Sequence, residues 1–523
     1  MVDRFKSFVN SKNSVRGASI ILVITLALSN ILGLLRDRFL ATYIPTSELD
    51  IYFAAFRIPD LIFNFLILGA ISSAFIPVFC DLKANGKKED SWNLTNSLMN
   101  IGMLLLVILA VIFYFLMPYL TKLVVPSFAA ERMVKTVELS RLLMLTPIFF
   151  SISYFLSGIL NSYNRFVAYS IAPLIYNLSI IAGAVIVGPS IGIKGVIYFV
   201  ILGSILHFVV QLPTAKKLGF RYKFLFDYTD KNVRKVIKLM IPRTIGLGMN
   251  QVMLLVYTAI ASALAAGSIT AFNFANNIQT MPTVVFGTSF ATAVFPTLTT
   301  AIAEKRYDRY TFYLGRSIRS IAFFLIPLSL LFIMLRAQIV RLILGSGHFA
   351  WDDTRMTALA LGYFSISLLF QGLIPILARS FYAMKNTTTP MTVSILTVFI
   401  SVAFGYPLAA SMGVAGLALA FSIGSFFNAS LLYILLAKKH KEVLDKKVLY
   451  SLIKITLIAG FSAAIAWFSM HYFATFLDLN TFFGVLYQAV FTTIVGGVVY
   501  FMLAYLFNFE EITWAISRKI TKK

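Results

Sequence analysis

Long apolar blocks recur along the chain, broken by short polar stretches. Residues 20–32, 103–116, 321–334 and 490–506 are nearly free of charge. A helix needs about 20 mostly apolar residues to cross about 30 Å of hydrocarbon. The pattern predicts spans at 17–35, 51–79, 97–119, 137–161, 167–187, 193–213, 240–263, 268–299, 316–336, 355–379, 388–409, 414–436, 449–471 and 483–507. They fill the chain and leave no room for a soluble domain. The expected fold is an all-α polytopic membrane protein of about 14 transmembrane helices. The charged start runs straight into a full-length apolar segment, so no cleavable signal is expected.

The polar stretches alternate in charge. Basic residues crowd the start (Arg4, Lys6, Lys12, Arg16), the second loop (Lys83, Lys87, Lys88) and the sixth (Lys216 to Lys238). They crowd the eighth loop (Lys305, Arg306, Arg309), the twelfth (Lys438 to Lys447) and the tail (Arg518 to Lys523) as well. The seventh, eleventh and thirteenth loops have none. Cytoplasmic loops carry the excess of Lys and Arg, so both termini are expected in the cytoplasm. Lys122, Arg132, Lys135, Arg341 and Arg355 break the pattern mildly.

Composition agrees. Of 523 residues, 59% are hydrophobic and 13% charged, where a soluble domain carries about 25% charged. Mean hydropathy is +0.85. A net charge of +24 raises the question of nucleic acid, but the basic residues sit in loops between spans, so no nucleic-acid partner is expected. The single cysteine, Cys80, excludes an intrachain disulfide and a cysteine-based metal site. Four histidines without HExxH spacing give no zinc motif, and no nucleophile–base pair or phosphate loop is present. Neither an enzyme nor a cofactor is expected.

The chain also repeats itself. Ser73-Ala-Phe-Ile-Pro-Val-Phe79 and Thr292-Ala-Val-Phe-Pro-Thr-Leu298 close the second and eighth spans, 219 residues apart. Ser190-Ile-Gly-Ile-Lys-Gly195 matches Ser411-Met-Gly-Val-Ala-Gly416, and Gly203-Ser204 matches Gly424-Ser425, both 221 apart. Pro173 and Pro390 are 217 apart. Six spans separate the copies, so both share one orientation, as in transporters built from parallel repeats. The expected organisation is an N-lobe at 1–215 and a C-lobe at 216–440, related by a pseudo-two-fold axis, with two further helices at 441–523.

Ionisable residues inside spans are costly and usually face a cavity or a partner. Three clusters qualify: Arg36-Asp37-Arg38; Asp50, Arg57 and Asp60 around Pro59; and Arg243 beside Pro242. The plainer reading of Arg36 and Arg38 is an interfacial residue that snorkels, and Arg379 reads as interfacial too. Asp50 and Arg57 lie two turns apart on one face. Arginine's planar donor fork suits phosphate, so a cavity of arginines suits an anionic substrate. Pro59, Pro77, Pro242, Pro282, Pro296 and Pro390 are expected to interrupt spans and supply hinges.

Gly33-Leu-Leu-Arg-Asp-Arg-Phe-Leu-Ala41, Asp50-Ile-Tyr-Phe-Ala-Ala-Phe-Arg-Ile-Pro59 and Ser73-Ala-Phe-Ile-Pro-Val-Phe79 resemble the opening of the MurJ (MviN) family of lipid II flippases. Leu160-Asn-Ser-Tyr-Asn-Arg-Phe166, Gln211-Leu-Pro213, Leu264-Ala-Ala-Gly267, Phe381-Tyr382, Thr389-Pro390 and Asn428-Ala-Ser-Leu-Leu-Tyr433 extend the match in order over nearly the whole chain. The family is part of the multidrug/oligosaccharidyl-lipid/polysaccharide exporter superfamily. The resemblance implies two six-helix lobes, a lipid-tail groove at the two extra helices, and transport of the undecaprenyl-pyrophosphate-linked peptidoglycan precursor to the periplasmic leaflet for cell-wall biosynthesis. It places Arg36, Asp37 and Asp50 at family motif positions and Arg57 where a basic residue is common. Arg243 joins them as a cavity candidate from the other lobe. The chain departs from the pattern at Asn30, Phe63-Asn64, Leu68, Asn276-Asn277 and Asn386, where charged residues are common.

Two other functions stay open at this stage. One is a sibling exporter of another lipid-linked glycan or of cationic drugs, although a drug exporter calls for cavity carboxylates. The other is a non-transporting membrane scaffold for the wall-synthesis machinery. The expected partners are lipid II, membrane lipids and that machinery, with the protein itself a monomer.

Overall fold

The computed structural model describes residues 15–68, 75–439 and 446–511; side chains at 15–24, 26, 67–68, 241–243, 245–247 and 446 lie outside the description. The basic residues Arg4, Lys6, Lys12, Lys441 and Arg518 to Lys523, and the side chains of Arg16 and Arg243, therefore fall outside it. Among the described residues the regular structure is entirely helical.

Each expected span falls on a helix. The first lies on Val15–Tyr43, the second on Thr46–Phe63 and its continuations, and the third on Lys88–Val124. Ala130–Leu143 and Thr146–Ser162, Phe166–Ile186, and Ile193–Val209 follow. Lys231–Ala261 comes next, entered through Asp230, whose side chain accepts from the amides of Asn232 (2.6 Å) and Val233 (2.9 Å). That carboxylate satisfies two of the four orphan donors of a helix start. Ser268–Pro282 and Ser289–Ala303, Tyr307–Met334, the pair Trp351–Ser365 and Leu368–Ala383, Thr388–Met412, Val414–Lys439, Lys446–Ala474 and Phe482–Leu506 complete the order.

Ten of the described helices are long and apolar enough to cross a membrane, eleven if the pair bent by 47° at Ser365 and Leu368 is one span. The other expected spans carry the charges. Thr46–Phe63 holds Glu48, Asp50, Arg57 and Asp60 in 18 residues, and within Lys231–Ala261 only the short stretch Gly248–Ala261 is apolar on average. The apolar side chains point outward where lipid would lie: Phe115, Leu457 and Phe468 are 70%, 69% and 67% exposed. A water-soluble fold could not leave such a belt open.

The internal repeat is visible as backbone. Two π-helical turns, Asn64–Leu68 and Thr283–Thr288, begin 219 residues apart. Left-handed residues follow the same spacing: Gly86 (φ 75°) and Lys305 (φ 58°) are 219 apart, while Asn164 (φ 56°) and Lys385 (φ 58°) are 221 apart. Gly192 (φ 68°, ψ −151°) and Gly413 (φ 62°, ψ −141°) open the sixth and twelfth spans, again 221 apart. That region of φ/ψ is essentially reserved for glycine. In both copies a glycine lets two helices meet closely: Gly203 against Ser179, and Gly424 against Ser401. Small residues at such crossings are how helices pack where lipid removes the hydrophobic drive.

Not every proline breaks a span. Pro59, Pro282 and Pro296 lie inside helices. Pro390 instead sits in the first turn of Thr388–Met412, and Pro77 is the second residue of Ile76–Ala84. A first turn has no partner for the amide that proline lacks, so Pro390 costs no hydrogen bond.

The chain forms two compact units, Met1–Thr270 with Ser346–Phe349, and Ala271–Gly345 with Ala350–Lys523. In the first, the short segment Ser346–Phe349 is held by Thr42, whose hydroxyl lies 2.6 Å from that of Ser346 and whose carbonyl accepts from His348 N at 3.2 Å. The second unit is packed around Leu325, Ile376, Leu377, Phe381 and Leu432. A further cluster of Phe323, Ile455, Tyr500 and Ala504 binds Tyr307–Met334 to the last two helices.

Candidate functional site

Of the charged residues singled out in the sequence, Arg36, Asp37 and Arg38 lie on Val15–Tyr43 and Asp50, Arg57 and Asp60 on Thr46–Phe63, both in the first unit, while Arg243 lies on Lys231–Ala261 and Arg379 in the second unit. Arg36 lies near the end of Val15–Tyr43. Its Nη2 and Nε donate to one oxygen of Asp37 at 2.7 and 3.0 Å, and its Nη1 donates to Asn177 Oδ1 at 3.2 Å. Asp37 is 1% exposed, whereas the Arg36 side chain keeps 21% of its surface open. The pair is thus rooted in protein, with part of the Arg36 side chain still open. Charge-assisted contacts of this kind are roughly twice as strong as neutral ones. Tyr52 and Tyr176 lie close enough to feel the Arg36 charge.

Arg57 occupies the middle of Thr46–Phe63 and is 7% exposed. Its Nε donates to Thr258 Oγ1 at 2.7 Å, and that hydroxyl in turn donates a hydrogen bond to Leu254 O at 2.8 Å. Asp60, one turn further along, is near enough to interact with the Arg57 charge.

Asp50 serves a different purpose. Its two oxygens accept from Gly267 N (2.7 Å), Thr270 N (2.9 Å), Thr270 Oγ1 (2.8 Å) and Arg132 Nη2 (3.2 Å). It is 2% exposed and works as a cap, supplied from a distant helix, for the start of Ser268–Pro282. So Arg36 and Asp37 pair with one another, and Asp50 has its own set of partners. For Arg243 the helix Lys231–Ala261 is described and the side chain is not. Arg38 is partly buried in the same helix as Arg36. Arg379 donates to Thr292 Oγ1 at 2.6 Å.

Several members of this region were not on the sequence's list. Asn177, Thr258 and Tyr52 complete the contacts above. Beyond them His207, 6% exposed in Ile193–Val209, lies 2.6 Å from Ser153 Oγ, to which Gln211 Nε2 also donates at 2.6 Å. Phe150 stacks edge-on against both His207 and Tyr176. The signal for His207 and Asn177 was available, since each is a polar side chain in an otherwise apolar span. The same positions in the second half are neutral. Asn276 and Gln279 lie 219 residues after Arg57 and Asp60, and Gln279 exchanges hydrogen bonds with Gln371 at 2.8 and 3.3 Å.

The family model described as "Lipid II flippase MurJ" matches residues 40–503. A probable lipid II flippase MurJ of Rickettsia prowazekii is 28% identical over 503 residues, covering 95% of this chain and 99% of the relative. A lipid II flippase MurJ of Burkholderia cenocepacia is 27% identical over 421 residues, covering 79% and 82%. Among solved structures, a lipid II flippase MurJ in an inward closed conformation superposes with a TM-score of 0.77 at 24% identity, covering 93% of this chain and 98% of that one. An inward-facing multidrug resistance MATE transporter of the MOP superfamily gives 0.67 at 15%, covering 81% and 98%, which shows a shared fold. A match along most of the chain, on an all-helical membrane fold, means that this protein belongs to the lipid II flippase MurJ family.

Proposed function

We propose that this protein carries lipid II, the undecaprenyl-pyrophosphate-linked peptidoglycan precursor, from the cytoplasmic to the periplasmic leaflet of the bacterial inner membrane. The observation that carries the reading is Arg57, a cation buried in an apolar helix bundle, in a chain whose family model spans nearly all of it. A charge at mid-bilayer depth costs about 2.5–3.5 kcal/mol on insertion scales. A function that uses the charge accounts for its place there.

The pyrophosphate must leave water to cross. Arg36 and Arg57 replace its hydration with charge-assisted hydrogen bonds, Asp37 orients Arg36, and Asp50 sets the frame by capping Ser268–Pro282. Arg243 contributes from the other lobe. The lobes 1–215 and 216–440 rock as two similar bodies, which the backbone-level repeat supports. The polyprenyl tail stays in lipid along residues 441–523. An interior-negative potential, worth about 2.3 kcal/mol per charge per 100 mV, draws the emptied cationic cavity back towards the cytoplasm. Both termini are cytoplasmic, and the protein acts as a monomer beside the wall-synthesis machinery.

One observation favours a second reading, a scaffold without transport: Asn276 and Gln279 leave the second half neutral where the first is charged. The test that separates them is rescue of a cell depleted of its own lipid II flippase. Transport predicts growth with the unaltered chain and none with Arg57→Glu at equal membrane abundance. Failure of the unaltered chain, correctly inserted, would favour the scaffold.

A further inference from the structure

Tyr307–Met334, Lys446–Ala474 and Phe482–Leu506 pack on one another in the second unit. They leave an apolar cavity of about 340 Å³, lined among others by Phe324, Leu331, Ala463, Gly497 and Phe501. Near the ends of the same helices lies a second cavity of about 380 Å³ with a different lining: Arg319, Lys447, Tyr450, Lys454, Glu510 and Glu511. The two adjoin through Phe323, which lines the apolar one and whose ring stands 5.9 Å from that of Phe509 in the polar one.

The polar cavity favours an anion despite its two carboxylates. Glu510 is engaged by Arg319 Nη2 at 2.9 Å. Arg319 Nε is buried without a hydrogen-bond partner. Burial pushes the Glu511 carboxyl above its ordinary range, which favours its neutral form. Lys454 Nζ donates to Phe507 O at 2.7 Å and sits 4.7 Å from the Phe509 ring centre, so it is held at the rim. Tyr450, Ile453 and Leu457, on the same helix, are 68%, 52% and 69% exposed, so that flank opens to hydrocarbon.

We propose that this cavity holds the phosphate headgroup of an anionic membrane phospholipid, with one acyl chain laid in the adjoining apolar cavity. Basic pockets beside transmembrane helices recognise such headgroups. The adjacency selects a lipid over a free anion, because inorganic phosphate has no use for an apolar neighbour. The inference does not depend on the transport reading.

The experiment uses the full chain, delipidated in detergent and offered phosphatidylglycerol or phosphatidylcholine, with bound lipid counted by native mass spectrometry. Phosphatidylglycerol should bind and phosphatidylcholine should bind at least about tenfold less. Lys447→Gln with Lys454→Gln should weaken phosphatidylglycerol about thirtyfold, while Lys216→Gln with Lys217→Gln, an equal loss of charge elsewhere, should not. Gly497→Leu tests the acyl arm, since a Cβ there meets nothing within 4 Å and the larger side chain fills the cavity; it too should weaken binding. Melting temperatures matched to the parent exclude misfolding, and Gly497→Leu keeps the test alive if the double variant fails to fold. Equal phosphatidylglycerol binding by the parent and the folded double variant would overturn the proposal. So would displacement of the lipid by millimolar inorganic phosphate with Gly497→Leu without effect, which would assign a free-anion site.

Discussion

Arg57 and Asp50 lie seven residues apart on one helix face and do different work. Asp50 is saturated by two amides, a hydroxyl and Arg132, so its role is structural. Asp50→Ala should cost about 1.5–3 kcal/mol, the range for hydrogen bonds to a charged group, read as a lower melting temperature in detergent. Arg132→Ala should cost under about 1 kcal/mol, because that side chain is 30% exposed and Asp50 keeps its other donors. Arg57→Glu should abolish flipping in a vesicle assay with the protein still inserted, and Arg57→Lys should keep part of it; normal flipping by Arg57→Glu would refute the anion-cavity mechanism. Three of the five residues that broke the loop-charge pattern also find a reason at this scale. Arg132 pairs with Asp50, Lys135 with Glu48, and Arg341 donates to the carbonyls of Leu479 (2.7 Å) and Asn480 (2.8 Å). A cation tied to the fold is a poor reporter of membrane orientation.

Elements show the repeat more clearly than residues do. The sequence displays it as four short matches, whereas the backbone adds paired π turns and three pairs of left-handed residues at the same spacing. Side chains diverge while the turns persist, because the left-handed turn geometry accepts Gly at one position and Asn or Lys at another. Gly192→Ala and Gly413→Ala should therefore cost similar amounts, about 1–3 kcal/mol each, in thermal unfolding. Gly287 makes a second kind of demand. A Cβ there would stand 2.6 Å from Gly372 Cα, a backbone that cannot yield easily. Gly287→Ala should cost about 1–3 kcal/mol through overpacking, while Gly460→Ala, with open space around it, should be neutral or stabilising by up to about 1 kcal/mol. A neutral Gly287→Ala would show that this contact relaxes freely.

At the scale of the whole molecule the testable property is orientation. Cysteine labelling of a Cys80-free chain should find loops 81–92 and 214–238 cytoplasmic and loops 264–267 and 474–482 periplasmic; a periplasmic label in 214–238 would invert the topology. The division of the chain carries a finding of its own. The helix Lys231–Ala261 belongs to the first unit, where its Thr258 receives Arg57. The segment Ser346–Phe349 joins that unit through Thr42. Both attachments join residues more than 200 positions apart, and hydropathy carries no information about such pairings.

What the sequence determined by itself was the membrane fold, the order of the spans, the repeat and the family. Each is written in a local or periodic pattern: apolar runs of bilayer length, charges at their ends, short motifs at a fixed offset. It also named the charged residues worth following, because an ionisable side chain in an apolar run stands out. Only the tertiary structure decided what each does. Asp50 and Arg57 are alike to a reader of the chain, two charges in one span. One caps Ser268–Pro282 and the other reaches Thr258, because the partners of a buried charge come from whichever helices pack beside it, and that packing is settled by shape across the whole bundle.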